Sequence, residues 1–78
     1  MTTEILLSRI TIRAEQCHGQ PCIRGMRMRV VDILQMLAGK MTPEEILADF
    51  PFLEADDIRA AIQYAAKALD HPIVDAAE

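Results

Sequence analysis

The sequence predicts a mostly α fold, in which three helices follow a short N-terminal β-strand pair and the last two helices meet in a helix-turn-helix-like corner. Three observations predict it. Apolar and cationic residues alternate on both sides of a glycine/proline-rich stretch between Cys17 and Gly25, the period of a half-buried strand. Val30, Ile33, Leu34 and Leu37 fall at i, i+3, i+4 and i+7, a single helical stripe. Thr42, Pro43 and Glu45 then spell a helix start, with a capping box and proline at the first helical position.

The elements follow in order. Residues 1–8 read as a lead-in. Ile10 and Ile12 alternate with Arg9, Thr11 and Arg13, a first strand. Cys17 to Pro21 is a turn or loop, where Gly19 and Pro21 punctuate the backbone. Ile23 to Arg29 is a second strand, with Gly25 marking a bulge. It places Met26 and Met28 on one face and Arg27 and Arg29 on the other. The strands pair either as a hairpin or between two chains, because an isolated two-stranded ribbon is marginal in water.

The first helix runs from Val30 to Ala38, with Gly39 where a left-handed cap belongs and Lys40 near the negative end of the dipole. The second starts at the Thr42 cap and stops at Pro51. The third runs from about Ala55 to Leu69, with Ile58, Ile62, Ala65 and Leu69 as its core stripe and Asp56 and Asp57 as caps at its positive end. Residues 9–29 thus form a strand–turn–strand unit, 30–70 the helices and 71–78 a frayed tail, all within one domain.

With 78 residues, 51% of them hydrophobic, the chain is too apolar for disorder and too short for a large core. Such a core leaves about 3–5 kcal/mol of net stability, and a homodimer or higher oligomer is the expected remedy. The net charge of −4 is unevenly spread. A basic amino-terminal third sits on an acidic body, which points to a local anion site or a charge-paired interface; arginines that merely share one strand pair are the alternative. The N-terminus lacks a secretory pattern, no apolar run approaches the ~20 residues of a membrane span, and two cysteines make no disulfide framework. The expectation is a cytoplasmic protein with reduced thiols, away from membranes.

Catalytic patterns are absent: there is no phosphate loop and no H-E-x-x-H helix, so no catalytic residue and no cofactor is expected. Cys17, His18 and Cys22 offer three metal ligands in one loop, but zinc needs a fourth. His71 is the only other histidine, and a homodimer could complete a site by symmetry. Small apolar cysteines beside a turn are the expected reading, with no metal. The methionines read as core filling, and the alanines of the last helix reflect helix propensity or close helix approach. In a helix-turn-helix the N-terminus of the second helix enters the major groove. Here it carries Glu54, Asp56 and Asp57, which phosphates repel. Double-stranded DNA, if bound, would therefore meet the strand pair, and the candidate DNA- or partner-binding residues are Arg13, Arg24, Arg27 and Arg29. Gly19, Pro21 and Gly25 are the structural residues of the turn.

The run Gly19-Gln20-Pro21-Cys22-Ile23-Arg24-Gly25, with Arg27, Val30, Ile33-Leu34 and Leu37-Ala38-Gly39, resembles the core signature of a small bacterial family, domain of unknown function four-three-three. The similarity continues through Pro43-Glu44-Glu45-Ile46-Leu47, Asp49-Phe50-Pro51, Leu53, Asp57-Ile58, Ala60-Ala61 and Tyr64-Ala65, and covers roughly residues 10–66. Met26 stands where the family usually has Thr, and Glu54-Ala55 where it often has Thr-Pro. The resemblance implies a homeodomain-like three-helix bundle. It also implies a place among VapB-like antitoxins, which neutralise toxins resembling the PIN-domain ribonucleases. Three functions stand as expectations: an antitoxin of such a pair, a DNA-binding regulator without a toxin, or a homo-oligomeric interaction module.

Overall fold

In the computed structural model, which describes residues 2–70, four helices pack around a two-stranded antiparallel sheet. The elements are α1 (Thr3–Leu7), β1 (Ile10–Thr11), β2 (Cys22–Ile23), α2 (Val30–Ala38), α3 (Pro43–Asp49) and α4 (Ala55–Ala68), with a 3-10 turn at Cys17–Gly19. The hairpin reading of the strand pair holds: Ile10 faces Ile23 and Thr11 faces Cys22 within one chain.

The first correction is to the lead-in. Residues 3–7 form a helix, capped by Thr2, whose Oγ1 accepts from the Ile5 amide at 3.2 Å. Its Leu6 is buried against α4. A five-residue helix is too short to show a periodic stripe in sequence.

The second correction is to the long strand over Ile23–Arg29. Pairing with β1 stops at Ile23, and the chain then folds back on itself. The Met26 amide donates to the Ile23 carbonyl at 2.7 Å, and the Ile23 amide donates to the Met28 carbonyl at 2.9 Å. Cys22 bridges Arg29 in antiparallel sense. Arg24 (φ 47°) and Gly25 (φ 73°) are both left-handed, as the centre of a type I′ turn requires. Gly25 is therefore a turn residue, not a bulge. The alternation of Met26 and Met28 with Arg27 and Arg29 describes a loop, and the arginines share no strand face.

The helix ends hold two more corrections. Gly39 is not left-handed (φ −82°); Lys40 is (φ 76°). The Lys40 amide donates to Leu37 and the Met41 amide to Met36, both at 3.0 Å, the paired bonds of a Schellman motif. The register of α4 also differs. Ile62 and Leu69 are 48% and 72% exposed, while Asp57, Ile58, Ala60 and Ala61 are buried. Ile58 keeps its expected place in the core, but beside it Ala60 and Ala61 fill the buried face, where small side chains let α4 approach α1 and α2 closely, and Ile62 and Leu69 point outward.

The start of α3 is as predicted. Thr42 Oγ1 accepts from the Glu45 amide at 3.1 Å, and Glu45 accepts from the Thr42 amide at 2.8 Å. The core joins Ile23, Met28, Val30, Ile33, Ile46, Leu53, Ile58 and Ala61. Among the described residues no helix is long and apolar enough to cross a membrane.

Candidate interaction site

The four candidate arginines separate into two kinds. Arg24 and Arg29 are bound internally; Arg13 and Arg27 have no carboxylate partner among the described residues.

Arg24 reaches from the type I′ turn to the first turn of α4. Its Nε lies 3.0 Å and 3.2 Å from the two oxygens of Asp57, and its Nη2 donates to Oδ2 at 2.8 Å and to the Phe52 carbonyl at 3.0 Å. Arg9 approaches from the other side, with Nη1 2.9 Å from Asp57 Oδ1 and 2.7 Å from Glu54 Oε1. The Glu54 amide donates to Asp57 Oδ2 at 2.8 Å. Asp57 has no exposed surface, yet both its oxygens are fully satisfied. Burial would raise its pKa, but hydrogen bonds from Arg24, the Glu54 amide and Arg9 outweigh burial and hold the carboxyl below the usual carboxylate range. Asp57 is thus more than the cap that the sequence predicts: it ties the hairpin to α4.

Arg29 closes the second pair. Its Nε and Nη2 donate to the two oxygens of Asp32 at 3.1 Å and 2.7 Å, and its Nη1 donates to Gln20 Oε1 at 3.0 Å. This fork on a carboxylate three residues away lowers the Asp32 pKa, chiefly through the side-chain hydrogen bonds from Arg29.

Arg13 and Arg27 are exposed and flank an open cleft of about 550 Å3, which Glu15, Gln16, Cys17 and His18 also line. Its floor is an unusual backbone. Cys17, His18 and Gly19 are three consecutive left-handed residues, at φ 52°, 56° and 79°. Only glycine adopts that region freely. The turn is held by the Gly19 amide on Gln16 at 2.9 Å and the Gln20 amide on Cys17 at 3.1 Å. Across the cleft, the Gly25 amide donates to Thr11 Oγ1 at 2.9 Å and the Gly25 carbonyl accepts from Gln16 Nε2. The Arg13 guanidinium covers Gly25, 3.8 Å from where a β-carbon would stand. Pro21 accepts from the Val30 amide at 2.9 Å and so joins the turn to the start of α2.

On the neighbouring face Pro21, Val30, Val31, Leu34, Tyr64 and Leu69 line an apolar groove of about 430 Å3 between α2 and α4. The groove is not legible in the sequence, where Leu69 falls on the expected core stripe of the last helix. Sequence reasoning also missed Arg9 and Asp57 as partners; the available signal was Glu54-x-x-Asp57, the spacing of a reciprocal helix cap. Among the described residues no cluster of three or more His, Cys, Asp and Glu side chains is arranged to hold a metal ion. His71, a conceivable fourth ligand, lies outside the described residues, as does the 71–78 tail.

Residues 10–65 match the family described as "Protein of unknown function (DUF433)". The crystal structure of a DUF433 member protein from Anabaena variabilis is similar, with a TM-score of 0.74 and 31% sequence identity. The similarity covers 82% of this chain and 63% of that one, so the chain spans less than two-thirds of that protein's length. No curated protein matches the sequence.

Proposed function

The chain belongs to the DUF433 family, and from that premise we propose that it is an antitoxin-type partner protein, one that binds and neutralises a PIN-like ribonuclease through a protein–protein surface. The observation that carries this reading is the internal neutralisation of Arg24 and Arg29 by Asp57 and Asp32. A phosphate backbone would have to compete with carboxylates already held in fork geometry. The α2/α4 groove, apolar and open, suits a protein partner instead.

In this reading α3 and α4 form the corner of a homeodomain-like bundle without serving as a DNA reader. The first turn of α4 carries Glu54, Asp56 and Asp57, and Arg9 is committed to them. The protein works in the cytoplasm as a homodimer that meets the ribonuclease there.

The second reading, a DNA-binding regulator, is favoured by Arg13 and Arg27 alone, the pair of exposed cations beside the cleft. Co-expression with a PIN-like protein encoded by a neighbouring reading frame separates the two. Co-purification with loss of ribonuclease activity supports the antitoxin reading. A DNA complex that weakens steeply with salt, and whose salt slope drops by about two when Arg13 and Arg27 are both replaced with alanine, supports the second.

A further inference from the structure

We propose that Cys17 and Cys22 form a reversible oxidation site, in which Cys17 is the thiol oxidised first and Cys22 the resolving one. Both are free thiols in the structure. Cys17 lines the open cleft and is partly exposed, while Cys22 has no exposed surface. An oxidant therefore reaches Cys17 first.

The backbone brings the two together. The left-handed turn returns the Gln20 amide to the Cys17 carbonyl at 3.1 Å. The Cys22 thiol donates to the Gln20 carbonyl at 3.4 Å. The Cys17 thiol donates to the Arg27 carbonyl at 3.6 Å, and Arg27 lies two residues from Arg29, the bridge partner of Cys22. The Cys17 thiol thus sits against the arm of the hairpin that pairs with Cys22. Burial pushes the Cys22 thiol up to about 11, and the adjoining Cys17 side chain adds to the rise. A buried thiol pushed up in this way is a poor first nucleophile, so the first attack falls to the partly exposed Cys17, and Cys22 gives up its proton only as its sulfur closes on the oxidised Cys17.

The chemistry balances with a peroxide as oxidant. The Cys17 sulfur attacks one peroxide oxygen, the O–O bond breaks, and Cys17 becomes a sulfenic acid as one water is released. The Cys22 sulfur then displaces that oxygen, which leaves as a second water, and the S–S bond forms. Two thiols lose two electrons and two protons, and the peroxide gains them. The bridge removes the Cys17 hydrogen bond to Arg27 and the Cys22 hydrogen bond to Gln20, so it alters the cleft wall that carries Arg27.

The test exposes the folded full chain to hydrogen peroxide and follows free thiols and intact mass. The expected product is a monomer lighter by two hydrogens, with both thiols lost together, a Cys17–Cys22 link in the non-reducing digest, and full recovery with a dithiol reductant. In Cys17→Ser the Cys22 thiol should disappear about tenfold more slowly or slower still. In Cys22→Ser a dimedone-trappable sulfenic acid should accumulate on Cys17. A wild-type product that gains oxygen without losing both thiols would overturn the proposal, as would disulfide-linked dimers in place of the intrachain bridge. Unchanged Cys22 reactivity in Cys17→Ser would overturn the assignment of Cys17 as the thiol oxidised first.

Discussion

Arg24 closes on Asp57 across 33 residues of chain, with its Nη2 2.8 Å from Oδ2 and its Nε 3.0 Å from Oδ1. Through this pair the hairpin turn that carries Gly25 is fastened to the longest helix. Four charge-assisted contacts and one backbone bond converge on a carboxylate with no solvent contact. Breaking such a pair is costly because it leaves charge stranded in low dielectric.

Removing Asp57 should therefore hurt more than removing the surface pair. Asp57→Ala is expected to lower the unfolding free energy by about 3 kcal/mol, and Asp32→Ala by about 1 kcal/mol or less, since that pair faces solvent. Urea unfolding measures both; equal losses would contradict the central position of Asp57.

Acid should unfasten the same contact. The Asp57 and Asp32 pKa values are both lowered in the folded state. Their contribution is fully present above the unfolded carboxylate pKa of about 3.9 and is lost as pH falls through the folded values. Melting temperature should hold level from neutral pH to about pH 5 and fall below it. In Asp57→Asn the acid limb should be shallower, and an unchanged limb would count against a lowered Asp57 pKa.

The N-terminal helix offers a third test. Leu6 is 5% exposed and packs against α4, so Leu6→Ala should cost about 2–3 kcal/mol. A lead-in with no structure would tolerate the change. Thermal melts of this variant distinguish the two.

What the sequence made legible follows physical range. The Thr42–Glu45 cap and the Val30–Leu37 stripe are local signals, and α2 and α3 appear where those signals put them. Local alternation marks the strand segments around Ile10 and Ile23 but leaves open whether they pair within one chain or between two, and the register comes only from the fold. The Ile23–Arg29 run failed because Arg24-Gly25 is not one of the dipeptides that advertise a type I′ turn, and alternation continues through it by coincidence. The register of α4 failed because alanine, weakly hydrophobic by composition, fills the buried face when helices approach closely. The ion pairs join residues 33 and 48 positions apart, and no pattern within a single segment announces them. For the site, Arg13 and Arg27 do flank one cleft, whereas Arg24 and Arg29 are held away by carboxylates.

Lys40 marks a position where the sequence departs from backbone preference. It occupies the left-handed place after α2 at φ 76°, and a side chain there costs roughly 1 kcal/mol relative to glycine. Lys40→Gly should raise stability by up to about that amount, less the greater entropy of glycine in the unfolded chain. A melting temperature that falls would show that Lys40 makes a compensating contact.

The most direct measurement is the affinity of the purified chain for the co-encoded PIN-like ribonuclease, compared with that of Val31→Asp. Val31 is 38% exposed on the groove wall in the first turn of α2, where an acidic residue suits the helix. The account predicts a stable wild-type complex that suppresses ribonuclease activity. It predicts binding about tenfold weaker or worse for the variant, with no loss of thermal stability. A wild-type chain that neither binds nor inhibits the ribonuclease, but shifts DNA in a manner dependent on Arg13 and Arg27, would contradict it.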